Sequence, residues 1–108
     1  MPSFKKGDPK APEQLRAHAG EACAFLKTLA NEDRLMLLCQ IASTRQNVGE
    51  LEASTGIHQP TLSQQLAVLR QEGLVVTEKE GKYVYYQLAN ENVMRVMRML
   101  WDMYCAPK

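Results

Sequence analysis

The side chains best suited to chemistry are three cysteines, Cys23, Cys39 and Cys105, and two histidines, His18 and His58. No two cysteines form a C-x-x-C pair, so neither a zinc ribbon nor a thioredoxin-type centre is signalled. In a reducing compartment such thiols are free, buried, metal-bound or redox-active rather than structural disulfides. Cys23 and Cys39 each fall on an apolar stripe, and free cysteine is among the most buried residue types, so packing is the default reading for either alone. The histidines have no companion at ligand spacing. No Ser-His-Asp set or carboxylate pair stands out, and the chain reads as non-enzymatic.

A second set of residues suits recognition. Leu62, Leu66 and Leu69 recur at spacings of four and three, which predicts a helix over about Gln59–Glu72 with those leucines inward. The opposite face then carries Gln59, Thr61, Ser63, Gln64, Ala67, Arg70 and Gln71. Glutamine can pair bidentately with adenine, serine and threonine serve base edges or phosphates, and arginine favours guanine or phosphate. On a helix in isolation the same face would be ordinary solvent surface.

The surrounding elements give it a context. A short helix from Val48 to about Ser54 offers Val48, Leu51 and Ala53 to a core, and Gly56 suits its left-handed end. Pro60 suits the first position of the next helix, and Gly73 stops it. Two helices joined by a short glycine-containing turn form a helix-turn-helix. The period then becomes extended in Leu74–Thr77 and Tyr83–Leu88, joined through 78–82, where Lys79 and Lys82 flank Gly81. A hairpin placed there is a wing, and its lysines are candidate DNA contacts.

Upstream, Leu15, Ala19, Ala22, Cys23, Leu26 and Leu29 mark a first helix from Glu13. Asn31 caps a second, with Leu35, Leu38, Cys39 and Ala42 inward, and 43–47 is polar and breaks the pattern. Downstream, Asn90 caps a last helix whose apolar residues, from Val93 to Trp101, Tyr104 and Cys105, cover more than half its circumference. The expected fold is mainly α (α+β), a winged helix-turn-helix in the order α-α-α-α-β-β-α. Residues 1–12, with three prolines and three lysines, read as a disordered arm, and 13–108 as one domain. A helix as broadly apolar as the last one favours a dimer, because one small core cannot cover it.

The formal net charge is only +1, from thirteen Lys and Arg against twelve Asp and Glu, so bulk charge does not point to nucleic acid. Local arrangement has to carry that expectation. No apolar run reaches the length of a membrane span and no signal-peptide core is present, so the expectation is a soluble, cytoplasmic protein.

The stretch from Val48 to Leu88, with QPTLSQQLAVLRQEGLV followed by EGKYVYYQL, resembles the ArsR/SmtB family of winged-helix repressors. The upstream LKTLANEDRLMLLC resembles that family's second helix and its approach, and the likeness spans about residues 15–105. It implies a homodimer paired through the first and last helices that binds an inverted-repeat DNA operator as a repressor. One common metal site of the family places paired cysteines on the short helix before the reading helix, which here is VGELEAS, without a thiol. Another uses Asp and His along the last helix, which here carries Asp102 and Cys105 but no histidine.

Cys39, late in the second helix, and Cys105, late in the last, instead resemble the thiol-sensing branch of the SqrR, BigR and HlyU type. The resemblance implies that these two residues respond to reactive sulfur species (persulfides, polysulfides) or oxidants, with no cofactor and no metal. Cys23 is outside that pattern and reads as a packing residue. A metal-responsive repressor using the cysteines as soft ligands, and a DNA-binding domain without any sensor, are the alternatives.

Overall fold

A computed structural model describes residues 4–107. Helix α1 spans Ala11–Leu29 and α2 spans Glu32–Ser43; strand β1 is Gln46–Asn47 and helix α3 is Val48–Thr55. Helix α4 covers Thr61–Gln71, strands β2 and β3 cover Val75–Glu80 and Tyr83–Leu88, and α5 covers Glu91–Tyr104. The helical and hairpin order is the expected one. Of the expected arm, residues 1–3 lie outside the described residues, and Ala11 and Pro12 already belong to α1.

Local sequence explains the boundaries. Asn31 caps α2 by accepting the Arg34 N–H at 3.0 Å, and Asn90 caps α5 by accepting that of Val93 at 3.2 Å. Asn47 and Glu50 form a reciprocal capping box on α3, which ends at Gly56 with φ of 73°. Helix α4 ends in a Schellman motif: Leu74 N–H reaches Leu69 C=O and Gly73 N–H reaches Arg70 C=O, with Gly73 at φ 77°. Leu74 is buried directly after that turn.

The core gathers Leu37, Leu38 and Ile41 of α2, Leu51 of α3, Leu62, Leu66 and Leu69 of α4, Val75 of β2, and Val93 and Met97 of α5. The leucine triad of α4 is fully buried as its spacing predicts. On α2 the inward arc is centred on the buried Leu37, Leu38 and Ile41; of the expected stripe, Leu38 is in that arc and Leu35 and Ala42 pack against the core half-buried. At about 100° per residue, Cys39 falls roughly 150° from the middle of that arc, and it is exposed. The stripe expected on α1 also turns outward in part: Leu29 is buried, while Leu15 and Leu26 are exposed. Cys23, expected to pack, is exposed, and so is Ala53 on α3.

Two corrections concern the sheet. The strands of the hairpin pair from Val75↔Leu88 to Glu80↔Tyr83, so the loop is Gly81 and Lys82 alone rather than 78–82. Gly81 takes the positive φ that a two-residue turn demands. A third strand, β1, lies within the segment taken as a break: Gln46 and Asn47 pair with Tyr86 and Tyr85, giving the order β1-β3-β2. Two polar residues carry no alternation to reveal it.

Candidate nucleic-acid interface and thiol groove

Helix α4 turns a polar surface outward because its three leucines consume the inner arc. Ser63, Gln64 and Arg70 are exposed, Thr61 is partly covered, and Ser63, Ala67, Arg70 and Gln71 line an open groove of about 420 Å³ whose other wall is Tyr86 of β3. The groove therefore collects Ser63 and Arg70 but not Thr61 or Gln64. Tyr86 is the lining residue that sequence reading did not single out; its alternation with the half-buried Leu88 was the available signal. Gln59 does not extend the helix. It lies before the N-cap Pro60, and its side-chain oxygen accepts the Ser63 N–H at 3.1 Å, satisfying one first-turn donor of α4.

The hairpin register sorts the wing's charges. Opposed residues share a face, so Val75, Thr77 and Lys79 stand with Val84, Tyr86 and Leu88 on the side turned toward the core and α4. Glu78 and Glu80 stand with Tyr83 and Tyr85 on the other side. The wing thus presents Lys79 on the side of the groove while its carboxylates face away. Lys82, in the loop, lies with its ammonium 5.4 Å from the Tyr83 ring centroid. The groove side thus has Arg70 of α4 and Lys79 of the wing, while Lys82 sits over a tyrosine of the carboxylate side.

Arg45, just before β1, braces the far face. Its guanidinium sits 4.3 Å from the Tyr85 ring centroid and hydrogen-bonds the Glu80 carboxylate. That hydrogen bond holds its pKa above the ordinary arginine value.

The cysteines lie outside the groove lined by α4 and Tyr86. All three thiols are free and exposed. Cys39 borders an open groove of about 220 Å³ between α2 and α5, whose walls include Ala42, Met94, Met97, Arg98 and Trp101. Cys105 follows α5 as its C-cap, one turn beyond Trp101, and its N–H donates to the Trp101 carbonyl at 2.8 Å. Packing of α2 on α5 therefore brings the Cys39 groove to the last turn of the helix that Cys105 terminates. Among the described residues no three His, Cys, Asp or Glu side chains converge as a metal site would require. His18 and His58 each face a single carboxylate, Glu21 at 3.7 Å and Glu52 at 3.1 Å. No helix among the described residues is long and apolar enough to cross a membrane.

Comparison with known proteins agrees with this architecture. Residues 31–77 match the family described as bacterial regulatory protein, arsR family. A biofilm growth-associated repressor from Agrobacterium fabrum is 47% identical over 94 residues, covering 87% of this chain and 80% of that protein. The solved transcriptional repressor BigR from Xylella fastidiosa aligns with a TM-score of 0.83 at 40% identity, over 90% of this chain and 99% of that one. A homodimeric winged helix-turn-helix DNA-binding domain from Mycobacterium bovis, solved in solution, aligns at 0.72 and 27% identity over 93% of this chain and 89% of that one. The chain belongs to the arsR family of bacterial regulatory proteins, and is a DNA-binding transcriptional regulator rather than an enzyme.

Proposed function

We propose that this regulator is a cytoplasmic homodimer that represses from an inverted-repeat operator and lets go when Cys39 and Cys105 become covalently linked. In this reading α4 enters the major groove, with Thr61, Ser63, Gln64 and Arg70 reading bases or phosphates and Gln59 holding its first turn. Lys79 and Lys82 of the wing reach the neighbouring backbone. A two-fold axis sets the two copies of α4 about one DNA turn apart, near 34 Å. The dimer seam runs along α1 and α5, where Leu15, Leu26, Met99, Met103 and Tyr104 are exposed in the single chain; the homodimeric relative from Mycobacterium bovis favours the same assembly.

The observation that carries the sensing part is the accessible Cys39 at a groove walled by Trp101, one helical turn from Cys105. A persulfide inducer, RSSH, reacts in balanced steps. A cysteine thiolate attacks its outer sulfur, forming a protein persulfide and releasing the thiol RSH. The second cysteine attacks the inner sulfur of that persulfide, giving a Cys39–Cys105 disulfide and hydrogen sulfide. If both cysteines are first persulfidated, their condensation gives a trisulfide and hydrogen sulfide. In the disulfide route the donated sulfur leaves as sulfide; in the trisulfide route one of the two donated sulfurs leaves as sulfide and the other stays in the bridge, and in both the cysteines are oxidised. A direct disulfide requires Cα atoms about 4.4–6.8 Å apart, whereas extra sulfurs bridge a wider gap. Either link ties α2 to α5, and because α5 is also the dimer seam, it changes the angle between the reading heads.

Intact-mass analysis after separate exposure to a persulfide and to peroxide, with operator affinity measured in parallel, tests this. The expected result is a Cys39–Cys105 crosslink accompanied by weakened DNA binding, both lost in Cys39→Ser and Cys105→Ser. Unchanged affinity in the crosslinked protein, or no crosslink with either reagent, sinks the switch and leaves a regulator without this sensor. Tight metal binding lost on either substitution would favour the metal-responsive reading instead.

A further inference from the structure

One side chain joins three helices. Arg34, in the first turn of α2, donates from Nε to the Thr28 carbonyl at 2.6 Å and from one terminal nitrogen to the Lys27 carbonyl at 3.3 Å. The other terminal nitrogen donates to the Gln65 side-chain oxygen of α4 at 2.8 Å. Lys27 and Thr28 are in the last turn of α1, where helix carbonyls lack intrahelical partners and a cation is favoured by the dipole. Asn31 fixes the start of α2 by accepting the Arg34 backbone N–H. The guanidinium is thus one rigid fork with α1 carbonyls on one side and an α4 amide on the other.

Gln65 is not in the reading groove. Two positions from Ser63, it is rotated by about 200° along the helix, which puts it some 160° around from that face. We infer that Arg34 and Gln65 are positioning residues that fix the pitch of α4 against α1. Because the proposed dimer pairs through α1, they set the separation of the two reading helices and hence the half-site spacing the protein accepts. The inference rests on the homodimer reading. It adds a specificity determinant that touches no base.

The test uses the full chain and an operator duplex selected from random sequence by the wild-type protein, remade with one or two base pairs inserted or removed between its half-sites. Wild type is expected to bind one spacing best. Gln65→Ala and Arg34→Lys are expected to lose roughly tenfold at that spacing, the scale of one hydrogen bond to a charged group, while altered spacings and random duplex are bound as before. The preference then flattens. Gln65→Glu keeps an accepting oxygen for Arg34 and is expected to retain the optimum, which separates positioning from mere packing. An optimum kept by Gln65→Ala, or an equal loss at every spacing, overturns the inference while leaving the dimer reading intact. A wild type with no spacing optimum overturns both.

Discussion

The reading head and the two outer helices solve opposite problems. In the head, α3, α4 and the base of the wing close on α2: Leu51, Leu62, Leu66 and Leu69 are all but inaccessible to solvent, and a glycine in positive φ ends each of α3 and α4. Helices α1 and α5 bury one side and leave the other bare. Leu26 is 61% exposed, Met103 58% and Tyr104 78%, on helices whose inner faces still supply Leu29, Val93 and Met97 to the core. The head is complete within one chain. The outer helices have sides that one chain does not cover, and α5 also forms one wall of the groove that Cys39 borders. In the proposed mechanism the signal enters at α2 and α5 rather than on the outer face of α4, so it needs to move the head rather than alter it.

The comparison breaks most visibly in the head. Leu66→Ala removes a fully enclosed side chain and is expected to cost about 2–5 kcal/mol, read as a lower urea midpoint with unchanged slope. By contrast, Leu26→Glu or Met103→Glu places a charge where the single chain already meets water. Each is expected to leave the fold intact and weaken self-association by about 2 kcal/mol, a factor of roughly thirty in the dimer dissociation constant by sedimentation. Operator affinity should fall with it. If these variants unfold while Leu66→Ala is tolerated, the division between closed head and open helices is wrong.

How legible each region was follows from the same division. In the head, period and core agree: the leucines of α4 and the glycine ends of α3 and α4 are readable because each has a local physical cause. Along α1 and α2 apolar residues occupy more than one face, so the spacing alone selected Leu26 and Cys39 as inward when Leu37 and Ile41 are the residues that pack. A helix with partners on two sides has no single stripe to find. Strand β1 and the Arg34–Gln65 arm of the fork are invisible for another reason: both are pairings with residues thirty or more positions away, and neither leaves a periodic trace. The cysteine pair came from resemblance. Its spacing, 66 positions, says nothing about proximity until α2 is seen against α5.

A smaller effect sharpens the comparison at the entrance to the head. Asn47→Ala removes the capping box of α3 and is expected to cost about 1 kcal/mol. Hydrogen exchange should place the loss in the first turn of α3, whose orphan N–H groups lose their acceptor, while α1 and α5 keep wild-type protection.

The smallest change is expected at Arg45. Its pair with Glu80 and its stack on Tyr85 are exposed, and exposed ion pairs add little to global stability because water screens them and ordering two long side chains opposes them. Arg45→Ala should therefore leave the denaturation midpoint close to wild type. Its effect belongs to the wing: the Glu80–Tyr83 end of the hairpin projects beyond β1, and Arg45 is the side chain that reaches out to it. Faster amide exchange near Gly81 and Lys82, with no change in α4, is the expected signature. A pH series gives a further check. The Glu80 hydrogen bond raises the Arg45 pKa, so the stability arginine supplies is fully present below its unfolded-state value and is lost only as pH rises through the still higher folded-state value. Arginine does not lose its proton in proteins under ordinary conditions, so raising the pH through the neutral and mildly alkaline range should not release the wing by way of Arg45. Wing exchange that accelerates over that range, beyond the intrinsic pH dependence of amide exchange and more than in Arg45→Ala, would mean that another titrating group holds the hairpin in place.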